Sequence, residues 1–287
     1  MSTKTKQEPI NWNAALKEIL SGGVTRTVVS VLLGFAVGAF FMIISNKEFL
    51  QSVGYFFADP LASVRAAGDV VSAGYGALFR GAIFNADAAT LEASLRPITE
   101  TLRFAGPLIA AGLGIGLGFR VGLFNIGGTG QMVSGIIWAT FVATRMELPP
   151  VIHFAVAILA AIAGSALIGI FVGYLKAKTG ANEVITTIML NYVIVSFFNF
   201  LLLDKNLLQG ETATGHTKSD PAFETARLPL LLGEGYSIHI GLILSLIAVG
   251  VYWWLMERST IGFRLRAVGF NASAAKTAGL KVEGTYV

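Results

Sequence analysis

The sequence predicts an all-α protein, a polytopic transmembrane helical bundle of about six spans, on three observations. Mean hydropathy is +0.68, with 54% hydrophobic and 13% charged residues, where soluble domains carry about a quarter charged residues. The apolar residues form long continuous runs, unlike the alternating strands of about ten residues in an outer-membrane barrel. The basic residues lie beside those runs, where they orient a membrane protein, so the net charge of +4 is no sign of nucleic acid. The absence of cysteine removes disulfides and thiolate chemistry, and His153, His216 and His239 have no metal-ligand spacing.

The elements follow in order. Residues 1–23 read as a cytoplasmic N-terminal tail with an amphipathic helix around 12–20, and residues 24–256 as the transmembrane domain. The first span, 24–44, runs on into Ser45-Asn46-Lys47 without a cleavage site of small residues, which excludes a signal peptide. An outer loop is expected near 45–103, where five basic residues are outnumbered by six acids and short amphipathic helices such as 60–79 lie along the bundle or the interface. The second span is read as 104–119, with Pro107 near its start and Arg120 snorkelling at its inner end.

Next comes GLGIGLGFRVGLFNIGGTGQ, residues 112–131, where polar, glycine-rich backbone interrupts apolar sequence. Lipid does not tolerate freed backbone groups, whereas a protein-lined or water-lined cavity does, so the break is either part of a path or an aqueous turn. Residues 132–144 are too short to span alone. Either the helix starts back in the glycine-rich stretch or the segment is broken or re-entrant, and both choices put Gln131 inside the protein.

Pro149 and Pro150 open a span ending near Leu175, along which Ser165, Gly169 and Gly173 form a small-residue ladder, and His153 reads as an interfacial histidine. A basic turn carrying Lys176 and Lys178 leads to the span 184–203. Asn182, Glu183, Thr186, Thr187 and Asn191 crowd its inner half; Asn182, Thr186 and, roughly, Glu183 lie within one helical turn, while Thr187 and Asn191 continue a single stripe at a spacing of four. Such a stripe either lines a path or bonds helices together at about 1 kcal/mol or less per bond. A second acidic outer loop, 204–237, precedes the last clear span, 238–256.

Residues 257–287 are expected in the cytoplasm. Asn271 suits an N-cap and Gly279 a C-terminal stop, giving a short capped helix after a glycine hinge at Gly269. From the residues alone it is too small and exposed to join the bundle and rests on lipid headgroups.

Three ordered motifs resemble one family. They are Phe124-Asn125-Ile126-Gly127 with Gly130-Gln131, the run from Gly180 through Asn182-Glu183 to Asn191-Tyr192, and Gly262-Phe-Arg264-Leu-Arg266-Ala-Val-Gly269-Phe-Asn271-Ala-Ser-Ala274-Ala275-Lys-Thr-Ala-Gly279. Together they resemble permease subunits of bacterial ATP-binding cassette importers, in the nucleoside and simple-sugar branch related to ribose and branched-chain amino acid permeases. The resemblance implies a subunit that moves its solute inward by alternating access. Asn125, Gly127, Gln131, Asn182, Glu183, Thr187 and Asn191 would line or gate the path. Gly262, Arg264, Arg266, Gly269, Asn271, Ala274, Ala275 and Gly279 would form a coupling helix and its mount, docking on a cytoplasmic ATPase. It also implies a second permease subunit, identical or different, an extracytoplasmic substrate-binding protein meeting the acidic outer loops, and surrounding membrane lipid, in a multi-pass protein of the bacterial inner membrane. Thr129 departs from relatives, which often carry an acid there. Relatives also continue beyond a point like Val287, so the resemblance implies a truncated permease or helices supplied from elsewhere.

The sequence has no G-x-x-x-x-G-K-[ST] phosphate loop, so ATP would be used by a partner and no cofactor is expected on this chain. Neither a nucleophile-base pair nor a metal set points to an enzyme. The competing class is an ion-gradient-driven secondary transporter or channel; the lack of Asp and Glu in the middles of the spans argues against proton coupling and leaves sodium coupling open.

Overall fold

A computed structural model describes residues 23–211 and 216–287. The expected helix at 12–20 and most of the N-terminal tail lie outside the described residues. Helices dominate the rest, and the only strand-like pairing among the described residues is an isolated antiparallel bridge between Leu230 and His239. The described residues fall into two compact units, one ending at Ala86 and one beginning at Asp87.

The first unit holds α1 (Gly23–Ser45), α2 (Lys47–Val53) and α3 (Pro60–Ala82). Asp59 caps α3 by accepting the Ala62 N–H, and Pro60 occupies the first turn, where its missing N–H costs nothing. The helix expected over 60–79 is present and runs slightly further, as one helix of 23 residues. Tyr75 on α3 donates to the Phe35 carbonyl of α1 and packs edge-on against the Phe35 ring.

The second unit holds α4 (Leu91–Val121), α5 (Gly128–Arg145), α6 (Ile152–Thr179), α7 (Glu183–Leu201), α8 (Gly241–Arg258), α9 (Thr260–Phe270), α10 (Ala272–Thr277) and α11 (Glu283–Tyr286). Five helices of the described residues, α1, α4, α6, α7 and α8, are long and apolar enough to cross a membrane. The 18 residues of α5 rise about 27 Å, close to the hydrocarbon thickness of about 30 Å.

One boundary differs from the sequence expectation. α4 begins at Leu91, capped by Thr90 accepting the Ala93 N–H, and not at residue 104. Pro107 therefore sits deep inside a 31-residue helix, as does Pro97. The charged first turns of α4 hide it from a hydropathy reading. The entry to α6 also differs: the two prolines precede the helix, and Val151, with φ 71° and ψ −51°, forms a tight γ-turn closed by the Ile152 N–H on the Pro150 carbonyl at 2.9 Å.

Two helix groups make up this unit. α4 pairs with α8 and carries α9 across its end, while α5 packs most extensively on α6 and also against α7. Small residues let α5 and α6 approach closely: Ser134 Oγ donates to the Gly164 carbonyl at 2.8 Å, and Ser165 Oγ to the Gln131 carbonyl at 2.9 Å. The chain passes from the first group to the second through residues 123–127.

Candidate functional site

The glycine-rich stretch divides into a helix and a break. Gly112, Gly114, Gly116 and Gly118 are all helical, and α4 ends where Gly122 takes the left-handed conformation (φ 82°). Residues 123–127 are irregular, and α5 begins at Gly128, so the helix does start back in the glycine-rich stretch.

The polar stripe of α7 fastens this break. Glu183 Oε1 lies 3.5 Å from the Phe124 N–H, Thr187 Oγ1 accepts the Ile126 N–H at 3.3 Å, and Asn191 Oδ1 accepts the Gly130 N–H at 2.7 Å. Asn191 Nδ2 donates back to the Ile126 carbonyl at 3.1 Å. The spacing of four along α7 thus meets successive polar groups of the irregular chain and the unpaired first N–H groups of α5. Space is tight here: a Cβ at Gly130 would stand 2.8 Å from Asn191 Oδ1. Asn125 Oδ1 accepts the Gly127 N–H at 2.8 Å, turning the chain into α5. Thr187 is fully buried.

Glu183 is itself held. Lys176, near the end of α6, places Nζ 2.7 Å from Glu183 Oε2, so one carboxylate joins the ends of α6 and α7 to the break. Sequence reasoning missed Lys176, although a lysine seven residues before Glu183 across a short turn was the available signal. The structure therefore brings together Asn125, Gly127, Glu183, Thr187 and Asn191. Asn182 is turned to another task, capping α7 by accepting the Val184 and Ile185 N–H groups. Gln131 faces α6, with Nε2 3.4 Å from where a Gly169 Cβ would stand.

At the same end, α9 and α10 pack on the bundle, contrary to the exposed position read from the residues. Val121, Met256, Leu265, Val268 and Ala275 form one buried cluster, and Ala275 is only 5% exposed. Asn271 caps α10 by accepting the Ala274 N–H at 3.0 Å, and Gly279 (φ 84°) closes it. Gly269 is no hinge: it lies within α9, whose backbone comes so near α4 that an added Cβ would overlap the Arg120 carbonyl oxygen. Gly262 is buried, and an added Cβ would overlap the Leu255 carbonyl oxygen. Arg266 pairs with Glu257 at 3.1 Å, whereas Arg264 and Ala274 are exposed.

The opposite end of the unit is tied by long polar side chains. Arg145, the last residue of α5, donates to the carbonyls of Lys205 (2.9 Å), Leu207 (3.3 Å) and Gln209 (2.8 Å). His153 is not interfacial: it is fully buried, with Nδ1 2.7 Å from Thr225 Oγ1 and Nε2 3.0 Å from the Val142 carbonyl. That carbonyl can only accept, so Nε2 carries a proton.

Residues 98–287 match the family of permease components of the branched-chain amino acid transport system. A guanosine ABC transporter permease of Bacillus subtilis is 33% identical over 256 residues, 89% of this chain and 64% of that protein. A nucleoside ABC transporter permease of Lactococcus lactis is 34% identical over 201 residues, covering 68% of the chain and 55% of that protein. A glucose ABC transporter permease of Haloferax volcanii is 30% identical over 270 residues, 91% of the chain and 62% of that protein. The chain thus spans between 55% and 64% of the length of these relatives. No solved structure matches it. With five membrane-length helices among its described residues and a family match over its whole second unit but for the first residues, this multi-pass membrane protein belongs to the branched-chain amino acid transport permease family.

Proposed function

We propose that the chain is the membrane-spanning subunit of an ATP-driven importer that moves nucleosides inward, with simple sugars as the competing substrate class. The observation that carries this is the seating of α10. A six-residue helix, capped at Asn271 and closed at Gly279, is fixed to the bundle through Ala275 and leaves Ser273, Ala274, Lys276 and Thr277 exposed. That is the form needed by an element that takes a push from outside the membrane: rigid, anchored on one face and open on the other.

The basic residues around it, Arg258, Arg264, Arg266, Lys276 and Lys281, favour a cytoplasmic position for this end, and a cytoplasmic N-terminus belongs to the same proposal. A cytoplasmic ATPase would receive α10 and supply hydrolysis, so the chain needs neither nucleotide nor cofactor and has no catalytic role of its own. The two-group arrangement suits a second permease subunit, identical or different, on the far side of the path. A cleft of 580 Å³ beside α10 is lined by Lys276 and Lys281 with Glu283, and by Lys176, which is paired with Glu183; its excess of lysines suits anionic lipid headgroups. At the opposite end, the loop held by Arg145 and His153 offers a fixed platform to an extracytoplasmic binding protein.

On this reading Asn125, Gly127, Glu183, Thr187 and Asn191 form a gate whose polar groups are satisfied when shut. Gln131 stands beside it. The aromatic rings of Phe119 and Phe124, 5.1 Å apart with Phe124 half exposed, offer a face on which a base could stack. The preference for nucleosides rests on what the Bacillus and Lactococcus relatives are said to carry.

The test is uptake by the intact complex in proteoliposomes, comparing labelled guanosine with glucose, with ATP supplied or with an ion gradient alone. ATP-dependent guanosine uptake supports the proposal. Uptake that follows the gradient without ATP would replace it with a secondary transporter.

A further inference from the structure

Within the α4–α8–α9 group, one contact is made by facing glycine backbones. α9 crosses the end of α4 so closely that Gly269 leaves no room for a side chain: the site of its Cβ overlaps the Arg120 carbonyl oxygen and lies 3.1 Å from the Val121 carbonyl carbon. The approach is reciprocal. A Cβ on Gly122 would stand 3.5 Å from Gly269 Cα and 3.6 Å from its carbonyl oxygen. Val121 and Val268, 4% and 2% exposed, flank the contact in one apolar cluster that also holds Ala275 of α10. With no side chain between the two backbones there is no rotamer to absorb a displacement, and close-packed interiors transmit strain.

Directly beyond this contact the chain becomes compliant. Gly122 turns it out of α4, and residues 123–127 have no helical ladder. Their fastening to α7 includes the longest bonds of the site, 3.5 Å at Glu183 and 3.3 Å at Thr187. This segment is also the shorter of the two covalent links between the α4–α8–α9 group and the α5–α6–α7 group, the other being residues 202–240. A stiff contact in series with a soft link concentrates any relative motion in the link.

We propose that the backbone contact of Gly269 with the Arg120–Gly122 turn is the joint that carries displacement of α9 and α10 into residues 123–127, loosening their bonds to Glu183 and Thr187. Gly269 and Gly122 are therefore positioning residues for transport, acting through the gate and touching no solute. The inference rests on the permease reading above.

The experiment uses the intact, reconstituted complex. Because this sequence has no cysteine, spin labels can be placed at Ser273→Cys with Leu108→Cys across the joint, from α10 to α4, and at Leu108→Cys with Asn206→Cys between the two groups. Distances are read without nucleotide and with a non-hydrolysable ATP analogue. The expected result is an unchanged distance across the joint and a changed distance between the groups. In Gly269→Ala, hydrolysis persists while substrate moved per ATP falls at least about tenfold, a loss of about 1.4 kcal/mol of coupling. A wild-type distance across the joint that changes as much as the other overturns the proposal, as does an unchanged transport-to-hydrolysis ratio in Gly269→Ala. If that variant fails to assemble, the wild-type distances still decide. Absence of ATP-driven uptake by the wild-type complex would instead sink the permease reading.

Discussion

The two ends of the second unit are built by opposite means. At the α9–α10 end, Val121, Val268 and Ala275 form a buried, dry apolar cluster, and the backbones of Gly269 and Gly122 meet at its exposed margin. At the other end, Arg145 and His153 reach out and hold loop groups through directional hydrogen bonds. A dry, close-packed contact resists small displacements in every direction and carries them onward. A hydrogen-bonded clasp holds one geometry and lets go when a bond is exchanged for water. The first suits an element that transmits force, and the second a surface that needs only to keep its shape.

Substitutions break the comparison in graded steps. Ala275→Asp puts an unpaired charge into the apolar cluster and should cost most, about 3–5 kcal/mol, read as a lower melting temperature of the purified protein in detergent. His153→Ala should follow, at about 3 kcal/mol, because it leaves a cavity and strips partners from Thr225 and the Val142 carbonyl. Its signature is earlier proteolytic nicking within residues 216–229. Arg145→Met keeps much of the stem but loses its bonds to three carbonyls, an effect of about 2 kcal/mol on the same protease assay, with the α9–α10 end still protected in hydrogen exchange.

Asn191→Leu tests the link between the two ends. It removes the partners of the Gly130 N–H and the Ile126 carbonyl, at about 1–2 kcal/mol, and should speed amide exchange at residues 126–130 while leaving α10 protected. Equal loosening at both places would mean that the helix groups are not mechanically distinct. The smallest effect concerns pH. His239 Nδ1 accepts the Gly241 N–H at the start of α8, and burial first, then the Arg103 charge, hold its pKa below the ordinary histidine value. The unfolded chain then binds the proton more readily than the folded one, so stability is full above the usual histidine range near about 6.5 and declines as pH falls through it. A slightly lower melting temperature in mild acid, absent in His239→Gln, checks this.

Helices whose apolar runs are uninterrupted were legible in the sequence, as were the caps of α10, because Asn271 and Gly279 act on neighbours within a few residues. The stripe from Glu183 to Asn191 was legible as a pattern but open in meaning, since a period of four names a face without naming what it meets. The start of α4 was hidden because Glu92, Arg96, Glu100 and Arg103 lower the local hydropathy of a helix that a Thr90 cap nonetheless begins. His153 was misread because its partners, Val142 and Thr225, come from distant turns of chain. Gly269 looked like a hinge for the same reason: its need to be glycine comes from Arg120, far away in the sequence, and nothing local betrays it.

The most direct measurement is a site-specific cross-link from α10. Ala274 is exposed, and a cysteine there would be unique in this sequence. In native membranes bearing Ala274→Cys, a short bifunctional reagent should join the chain to an ATP-hydrolysing subunit, with a yield that changes when ATP is added. A cysteine at Asn206, exposed at the opposite end of the same unit, should not cross-link. No nucleotide-sensitive product at Ala274, or an equal one at Asn206, would contradict the account.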